Sequence, residues 1–499
     1  MTVLAQHRVD SVTRDALAVL QPGFVGTEPP AWLLRSLDEG LASVALFGRN
    51  VQDPEQLARL TARLRAERDD VLVAIDEEGG DVTRLEVHTG SSFPGNLALG
   101  AVDDTELTRQ VAHALALRLA ECGINFNWAP SADVNSNPDN PVIGVRSFGA
   151  DTGLTARHTA AYVTGMQAAG VAVCTKHFPG HGDTNVDSHE ALPRIDVDLD
   201  TLAARELVPF KAAIAADTKA IMSAHILVPA LDATRPATVS PLILTDLLRR
   251  ELGYEGLIVT DGIEMNAIAG TYGIERGTVL AIAAGADAIC VGGGHSDEGT
   301  VLRLRDALVS AVREGTLSEQ RLADAAARVR SLAEWTRATR VEAAPGASEE
   351  GNAPGIGLVA ARRALRVTGA PLAPIAEPFV ATLDSVSNFA VGAETPWGIA
   401  ADLAELLPGT LAETFGESAK AEEIRAAAGE RTLVIAARDI HRHAWMGALV
   451  DELVAARPDT VVVELGLPGA EPAGALHIAT HGASRVCGRA AAEYIAGVR

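Results

Sequence analysis

Val171-Ala172-Val173-Cys174-Thr175-Lys176-His177-Phe178-Pro179-Gly180-His181-Gly182-Asp183-Thr184-Asn185-Val186-Asp187-Ser188-His189 is the stretch on which the reading of the fold turns. It begins as an apolar run, Val171 to Cys174, of the kind that forms a buried strand. It then breaks at Pro179-Gly180 and becomes a polar loop. From 176 to 189 it holds one Lys, three His and two Asp. A buried strand that opens directly into so many titratable groups is a poor core and a good site. It calls for a fold in which strands end together at one functional face.

The neighbouring sequence repeats the pattern. Short apolar runs at 23–26, 43–47, 71–75, 124–128, 171–174, 220–223, 257–260 and 286–291 alternate with segments of helical period at 54–69, 106–122, 152–169, 202–216, 241–251 and 276–284. Gly123, Gly170, Gly256 and Gly285 stand where helices end and strands begin, as left-handed caps would. The strands are apolar throughout, as parallel strands buried on both faces must be. About eight β-α units in roughly 300 residues predict a closed (β/α)8 barrel of the TIM type. A doubly wound open sheet is the alternative, but no G-x-G-x-x-G follows the first strand.

A closing amphipathic helix is expected at 318–339, so that the barrel domain takes 1–340. A Pro/Gly/acidic linker follows at 341–357. Apolar runs near 364–367, 379–383, 433–436, 461–464 and 476–479 make 358–499 a smaller α/β sandwich domain. The first twenty residues carry acidic and basic groups where a secretory signal would be apolar, and no stretch reads as a membrane-spanning helix.

The chain carries 65 acidic against 42 basic residues, a net charge of −23. That field disfavours nucleic acid and anionic membranes as partners. The four cysteines, Cys122, Cys174, Cys290 and Cys487, lie far apart and form no C-x-x-C pair. Neither a disulfide framework nor structural zinc is expected, and a reducing, cytoplasmic setting fits.

Polar residues fall where a barrel places its site. Strand three ends in Asp76-Glu77-Glu78, strand five in Lys176-His177, strand six in His225 and strand seven in Asp261-Gly262. An Asp on a rigid strand end beside Gly suits a carboxylate nucleophile, although a helix N-cap would place Asp there too. Asp187, two residues from His189, could orient its ring for general acid and base work. An exposed loop histidine beside a chance neighbour reads equally well. His177, His181, Asp183, Asp187 and His189 include the ligand types of a metal site, but Lys176 beside them would repel a cation. Asp76 as acceptor, with Arg84, Arg146, Lys176 and His177 as donors, suits a hydroxylated ligand such as a sugar. Trp128 and Phe148 could wall it, though both also read as core.

These motifs resemble those of glycoside hydrolase family 3, in its β-N-acetylhexosaminidase branch. The matching stretches are Ala74 to Arg84, Asn135 to Gly149, Lys176 to His189, Ile221 to Ile226 and Val259 to Met265, in family order. The resemblance implies a retaining mechanism. Asp261 would be the nucleophile, and the His189–Asp187 dyad would be acid and then base. Asp76, Arg84, Arg146, Lys176, His177 and Met265 would bind the terminal N-acetylglucosamine. No metal or organic cofactor is implied. Glu77 stands where Gln is usual, and Asp81 where Arg is usual.

The expected activity is removal of terminal β-linked N-acetylglucosamine from cell-wall or chitin fragments, as in peptidoglycan turnover. The same site would also serve a phosphorylase with inorganic phosphate as acceptor, since a histidine does not repel the dianion as a carboxylate would. A non-catalytic sugar-binding protein is the alternative of another class.

Overall fold

In a computed structural model, the described residues are 10–186, 192–341, 355–370, 374–384, 391–392 and 394–498. Eight strands, β1 (Leu20–Pro22), β2 (Ser43–Leu46), β3 (Leu72–Ile75), β4 (Phe126–Asn127), β5 (Ala172–Phe178), β6 (Ala220–Ser223), β7 (Leu257–Thr260) and β8 (Ile289–Val291), follow one another in the barrel. β2 to β7 form one parallel sheet in sequence order, and β1 pairs with β8 in parallel. The ring closes on both sides of that pair. Val259 bridges Ala288 between β7 and β8, and the Gln21 amide donates to Ser43 Oγ across β1 and β2 at 3.4 Å. Every residue of these strands is buried, which explains why they carry no alternating polar face.

Helices return the chain on the outside, and Asp53, Asp104 and Asp151 cap three of them with side-chain oxygens. Helix Glu319–Ala338 packs against Ser11–Ala18 and ties the barrel's last helix to its first. Two local expectations are corrected. The first strand is Leu20–Pro22, not 23–26, because Pro22-Gly23 ends the ladder rather than starting it. The left-handed residue after helix Leu242–Glu251 is Gly253, not Gly256.

Six further strands, β9 (Arg366–Gly369), β10 (Phe379–Leu383), β11 (Leu411–Phe415), β12 (Leu433–Ala437), β13 (Val461–Glu464) and β14 (Leu476–Ala479), form a second sheet in the order β11-β10-β12-β13-β14-β9. All are parallel except β9. Separate apolar clusters lie on its two faces, so the sheet is sandwiched between helices. The expected strand at 364–367 is instead the end of helix Ile356–Ala364 followed by β9, and β11 is an addition. The expected linker at 341–357 falls mostly on 342–354, outside the described residues.

The sandwich leans on the barrel. Ala98 from the barrel shares an apolar cluster with Ala361, Ala364, Val486, Cys487 and Ala490. The Ala483 amide donates to Asp81 Oδ1 at 2.7 Å, and Arg438 Nη1 lies 3.8 Å from Asp81 Oδ2. His441 Nε2 lies 3.2 Å from the carbonyl of Pro138, on the loop after β4. The contacts therefore fall on the barrel loops that follow β3 and β4.

Candidate active site

At the carboxyl ends of the barrel strands lies a cavity of about 310 Å³. Asp76, Arg84, Arg146, Lys176, His177, Asp261 and Met265 all line it. These residues come from the ends of β3, β5 and β7 and from the loops after β3 and β4. Asp187 and His189 lie outside the described residues. A larger hollow, about 440 Å³, opens at the opposite barrel end beside Lys219, Tyr254 and Trp335. Its charges are engaged in the surface pairs Lys219–Asp217 and Arg328–Glu255, and no acid or base of the set above reaches it.

The cavity floor is an ion network. Lys176 Nζ lies 2.5 Å from Asp76 Oδ1 and 2.7 Å from Glu78 Oε1. Arg146 holds Glu78 with a two-pronged contact, Nε to Oε2 at 3.0 Å and Nη2 to Oε1 at 2.7 Å. Lys176, Glu78 and Arg146 are buried. Burial alone would push the Glu78 carboxyl up, but the two cations beside it outweigh that and hold it well below the usual carboxylate range. Burial pulls the Lys176 ammonium down, and Asp76 and Glu78 reverse the shift, so it stays charged. A fixed cation surrounded by carboxylates favours a neutral, hydroxyl-rich ligand that threads hydrogen bonds between existing charges.

Asp133 is a second hub. Its Oδ2 accepts from Ser131 Oγ at 2.8 Å and lies 2.7 Å from His177 Nδ1. Its Oδ1 accepts from the amides of His177 at 3.2 Å and His181 at 2.7 Å. Burial pushes this carboxyl up, yet His177 and the hydrogen bonds bring it down to about 2. Neither Asp133 nor the pairing role of Glu78 follows from the motif reading. Glu78 has a usable signal, because Asp76 and Glu78 stand two apart and so share one face of extended chain. Asp133 has none, because its two histidine partners are 44 and 48 residues away.

The loop after β5 is held against the loop after β4. The Asn140 amide donates to the carbonyls of His181 and Gly182 at 2.9 and 3.0 Å. A Cβ on Gly182 would strike the Val134 carbonyl, so only glycine fits that approach. Arg205 pairs with Asp183 at 2.5 Å from the outer side. His181 lines the cavity, is buried, and among the described residues has no partner on either ring nitrogen. Burial brings it down to about 4, so it is neutral at ordinary pH.

Other expected markers divide. Trp128 lines the cavity, whereas Phe148 packs on His158 in the core. His225 is a structural residue: it is buried, with Nδ1 2.7 Å from Thr238 Oγ1 and Nε2 2.8 Å from the Gly262 carbonyl. It supports the turn after Asp261 from beneath. Glu264 lines the cavity and was not expected to. Its Oε1 accepts from the amides of Gly292, at 3.0 Å, and Gly293.

Residues 32–332 match the family model described as the glycosyl hydrolase family 3 N-terminal domain. That match covers more than half of the chain. The chain belongs to glycosyl hydrolase family 3. Among curated proteins, this family-3 chain is 37% identical over 316 residues to beta-hexosaminidase A of Pseudoalteromonas piscicida, covering 58% of this chain. It spans about half the length, 53%, of that relative. Among solved structures, a family-3 beta-N-acetylglucosaminidase from Paenibacillus sp. str. FPU-7 is similar with a TM-score of 0.88 and 33% identity, covering 98% of this chain and 97% of that one. NagZ from Neisseria gonorrhoeae, solved in complex with N-trifluoroacetyl-D-glucosamine, is similar with a TM-score of 0.54 and 31% identity, covering 64% of this chain and 92% of that one. The Paenibacillus structure matches both sheets, so the likeness covers the sandwich as well as the barrel.

Proposed function

We propose that this family-3 protein is a retaining exo-β-N-acetylglucosaminidase that removes terminal β-linked N-acetylglucosamine from cell-wall or chitin-derived fragments. The observation that carries this reading is the convergence of Asp261 with Asp76, Arg84, Arg146, Lys176, His177 and Met265 around one cavity. At about 310 Å³ that cavity is at the small end for ligand sites, which suits a single terminal sugar. The Paenibacillus and Neisseria relatives support the choice of an N-acetylated sugar.

The chemistry follows from the arrangement. Asp261, on the end of β7, attacks the anomeric carbon and forms an ester as the bond to the aglycone oxygen breaks. The leaving oxygen takes a proton from His189, which Asp187 orients. The same histidine then removes a proton from water as it attacks the anomeric carbon and releases Asp261. Both dyad residues are assigned by their place in the Lys176–His189 motif. Asp76 and Lys176 bind ring hydroxyls, and Met265 gives the N-acetyl side an apolar contact. Among the described residues no helix is long and apolar enough to cross a membrane. The four cysteines are free and buried, which supports a cytoplasmic location.

The deciding experiment is incubation with an aryl β-N-acetylglucosaminide with and without inorganic phosphate. Release of N-acetylglucosamine at a phosphate-independent rate is expected. N-acetylglucosamine 1-phosphate formed at a phosphate-dependent rate would make the enzyme a phosphorylase, and no turnover would leave only sugar binding.

A further inference from the structure

We propose that Asp133 is a positioning residue that fixes His177 in the Nδ1–H tautomer, so that Nε2 meets the substrate as a hydrogen-bond acceptor. The inference rests on the reading of the cavity as a sugar site. It departs from that reading in one respect: His177 takes a proton-bearing hydroxyl instead of donating to one.

Asp133 is buried and ionised, so both of its oxygens only accept. Four groups surround it: Ser131 Oγ, His177 Nδ1, and the backbone amides of His177 and His181. Two are amides, which only donate. The remaining acceptor capacity faces the serine hydroxyl and Nδ1 at 2.8 and 2.7 Å. At 2.7 Å a lone pair on Nδ1 would face a carboxylate lone pair without water between them, so Nδ1 carries the proton.

The other side of the ring gives an independent constraint. Arg146 Nη2 lies 3.4 Å from His177 Nε2. A guanidinium nitrogen has no lone pair and can only donate. A proton on Nε2 would set N–H against N–H beside a buried cation. The lone pair therefore belongs on Nε2, and both faces of the ring require the same tautomer. At 3.4 Å the Arg146 contact is long, which leaves Nε2 able to accept a shorter bond. His177 lines the cavity, so that bond comes from a hydroxyl of the sugar.

The test combines a spectrum with a set of variants. In the full-length protein, ¹⁵N chemical shifts of the histidine side chains, with His177 identified by its loss in His177→Asn, should show a protonated Nδ1 and an unprotonated Nε2. In Asp133→Asn the amide turns an N–H toward Nδ1 and favours the opposite tautomer. That variant should lose roughly 10- to 100-fold in kcat/KM on an aryl N-acetylglucosaminide, mostly through KM, because a buried donor or acceptor is left unpaired. His177→Asn should lose a similar factor. The double variant should be no worse than the poorer single one, since Asp133 acts through His177. A protonated Nε2 in the wild-type protein, or losses that multiply in the double variant, would overturn the assignment. If Asp133→Asn does not fold, the wild-type spectrum alone decides. A protein that turns over no N-acetylglucosaminide would sink the proposed activity, while the tautomer is still read from the spectrum.

Discussion

At the carboxyl end of β5, Lys176 is bonded to two carboxylates and still lines a cavity of about 310 Å³. At the carboxyl end of β12, Arg438 stacks on Trp397, 4.0 Å from the ring centroid, and faces Asp81 across 3.8 Å. The hollow left there is about 10 Å³, room for one water at most and far too little for a sugar. Glu464, at the end of β13, is equally closed off. Its oxygens accept from the amides of Asp439, Ile440 and Gly466 at 2.9, 3.0 and 2.8 Å. Both sheets thus end their parallel strands in ionisable side chains that the fold largely encloses. In the barrel the charges compensate one another through side chains and leave their free edges toward one space. In the sandwich they are used up by backbone amides and by the barrel itself. The sandwich strand order β11-β10-β12-β13-β14 reverses direction between β10 and β12, the place where open α/β sheets form a ligand crevice. Asp81, Trp397 and Arg438 occupy its mouth, so a ligand crevice has become a docking surface.

This division predicts unequal costs. Asp261→Ala should cost most, on the order of 10⁴-fold in kcat on an aryl N-acetylglucosaminide with the fold intact, because it removes the carboxylate proposed as the nucleophile. A loss below about tenfold, measured on protein of unchanged thermal stability, would move the nucleophile elsewhere. Lys176→Ala comes next. It leaves Asp76 and Glu78 without the cation between them and should lower stability by about 3–5 kcal/mol. kcat/KM should fall on the order of 100-fold. Denaturant unfolding and kinetics of the same preparation would check both.

Asp81→Ala probes the contact between barrel and sandwich. It takes the acceptor from the Ala483 amide and the counter-charge from Arg438. Stability should fall by about 1–3 kcal/mol, the cost of an unpaired buried group. Turnover by the protein that remains folded should stay within about threefold. If Asp81→Ala harmed kcat/KM as severely as Lys176→Ala, the two kinds of strand end would not differ in function.

The sequence made much of this legible, for physical reasons. β6, β7, β10, β13 and β14 match the apolar runs residue for residue, because strands buried on both faces read as short, largely apolar runs. β11 was hidden because four of its five residues are exposed at the sheet edge, so Leu411-Ala-Glu-Thr-Phe415 has no apolar face to detect. β9 was blurred by the helix that precedes it. In the site, residues on strand ends were readable because the barrel fixes where strand ends go. His225 met the same rule and is nonetheless structural, since a position at a strand end does not say whether a side chain turns to the cavity or to the next strand. Asp133 could not be found, because its histidine partners are brought from β5 and the loop after it.

Glu77 gives the smallest effect and the sharpest test of that lesson. It stands one residue from the ion network, yet it does not line the cavity. Its Oε2 alone accepts from Thr83 Oγ1 at 3.1 Å and from the amides of Arg84 and Leu85 at 2.8 Å each. Three donors converging on one oxygen are served as well by an amide oxygen as by a carboxylate. Burial, the largest influence, pushes Glu77 up to about 7 against those hydrogen bonds. A buried acid whose folded pKa lies above its unfolded value favours folding while protonated. Its contribution is complete below about 4.5 and is lost as pH rises toward about 7. Glu77→Gln should therefore keep its activity and remove that part of the pH dependence. The wild-type protein should lose thermal stability from pH 4.5 to 7 relative to the variant, and the two curves should run parallel above and below that window. Parallel curves throughout would mean that Glu77 is ionised across the range, and that its charge is tolerated by the same three donors that would serve Gln.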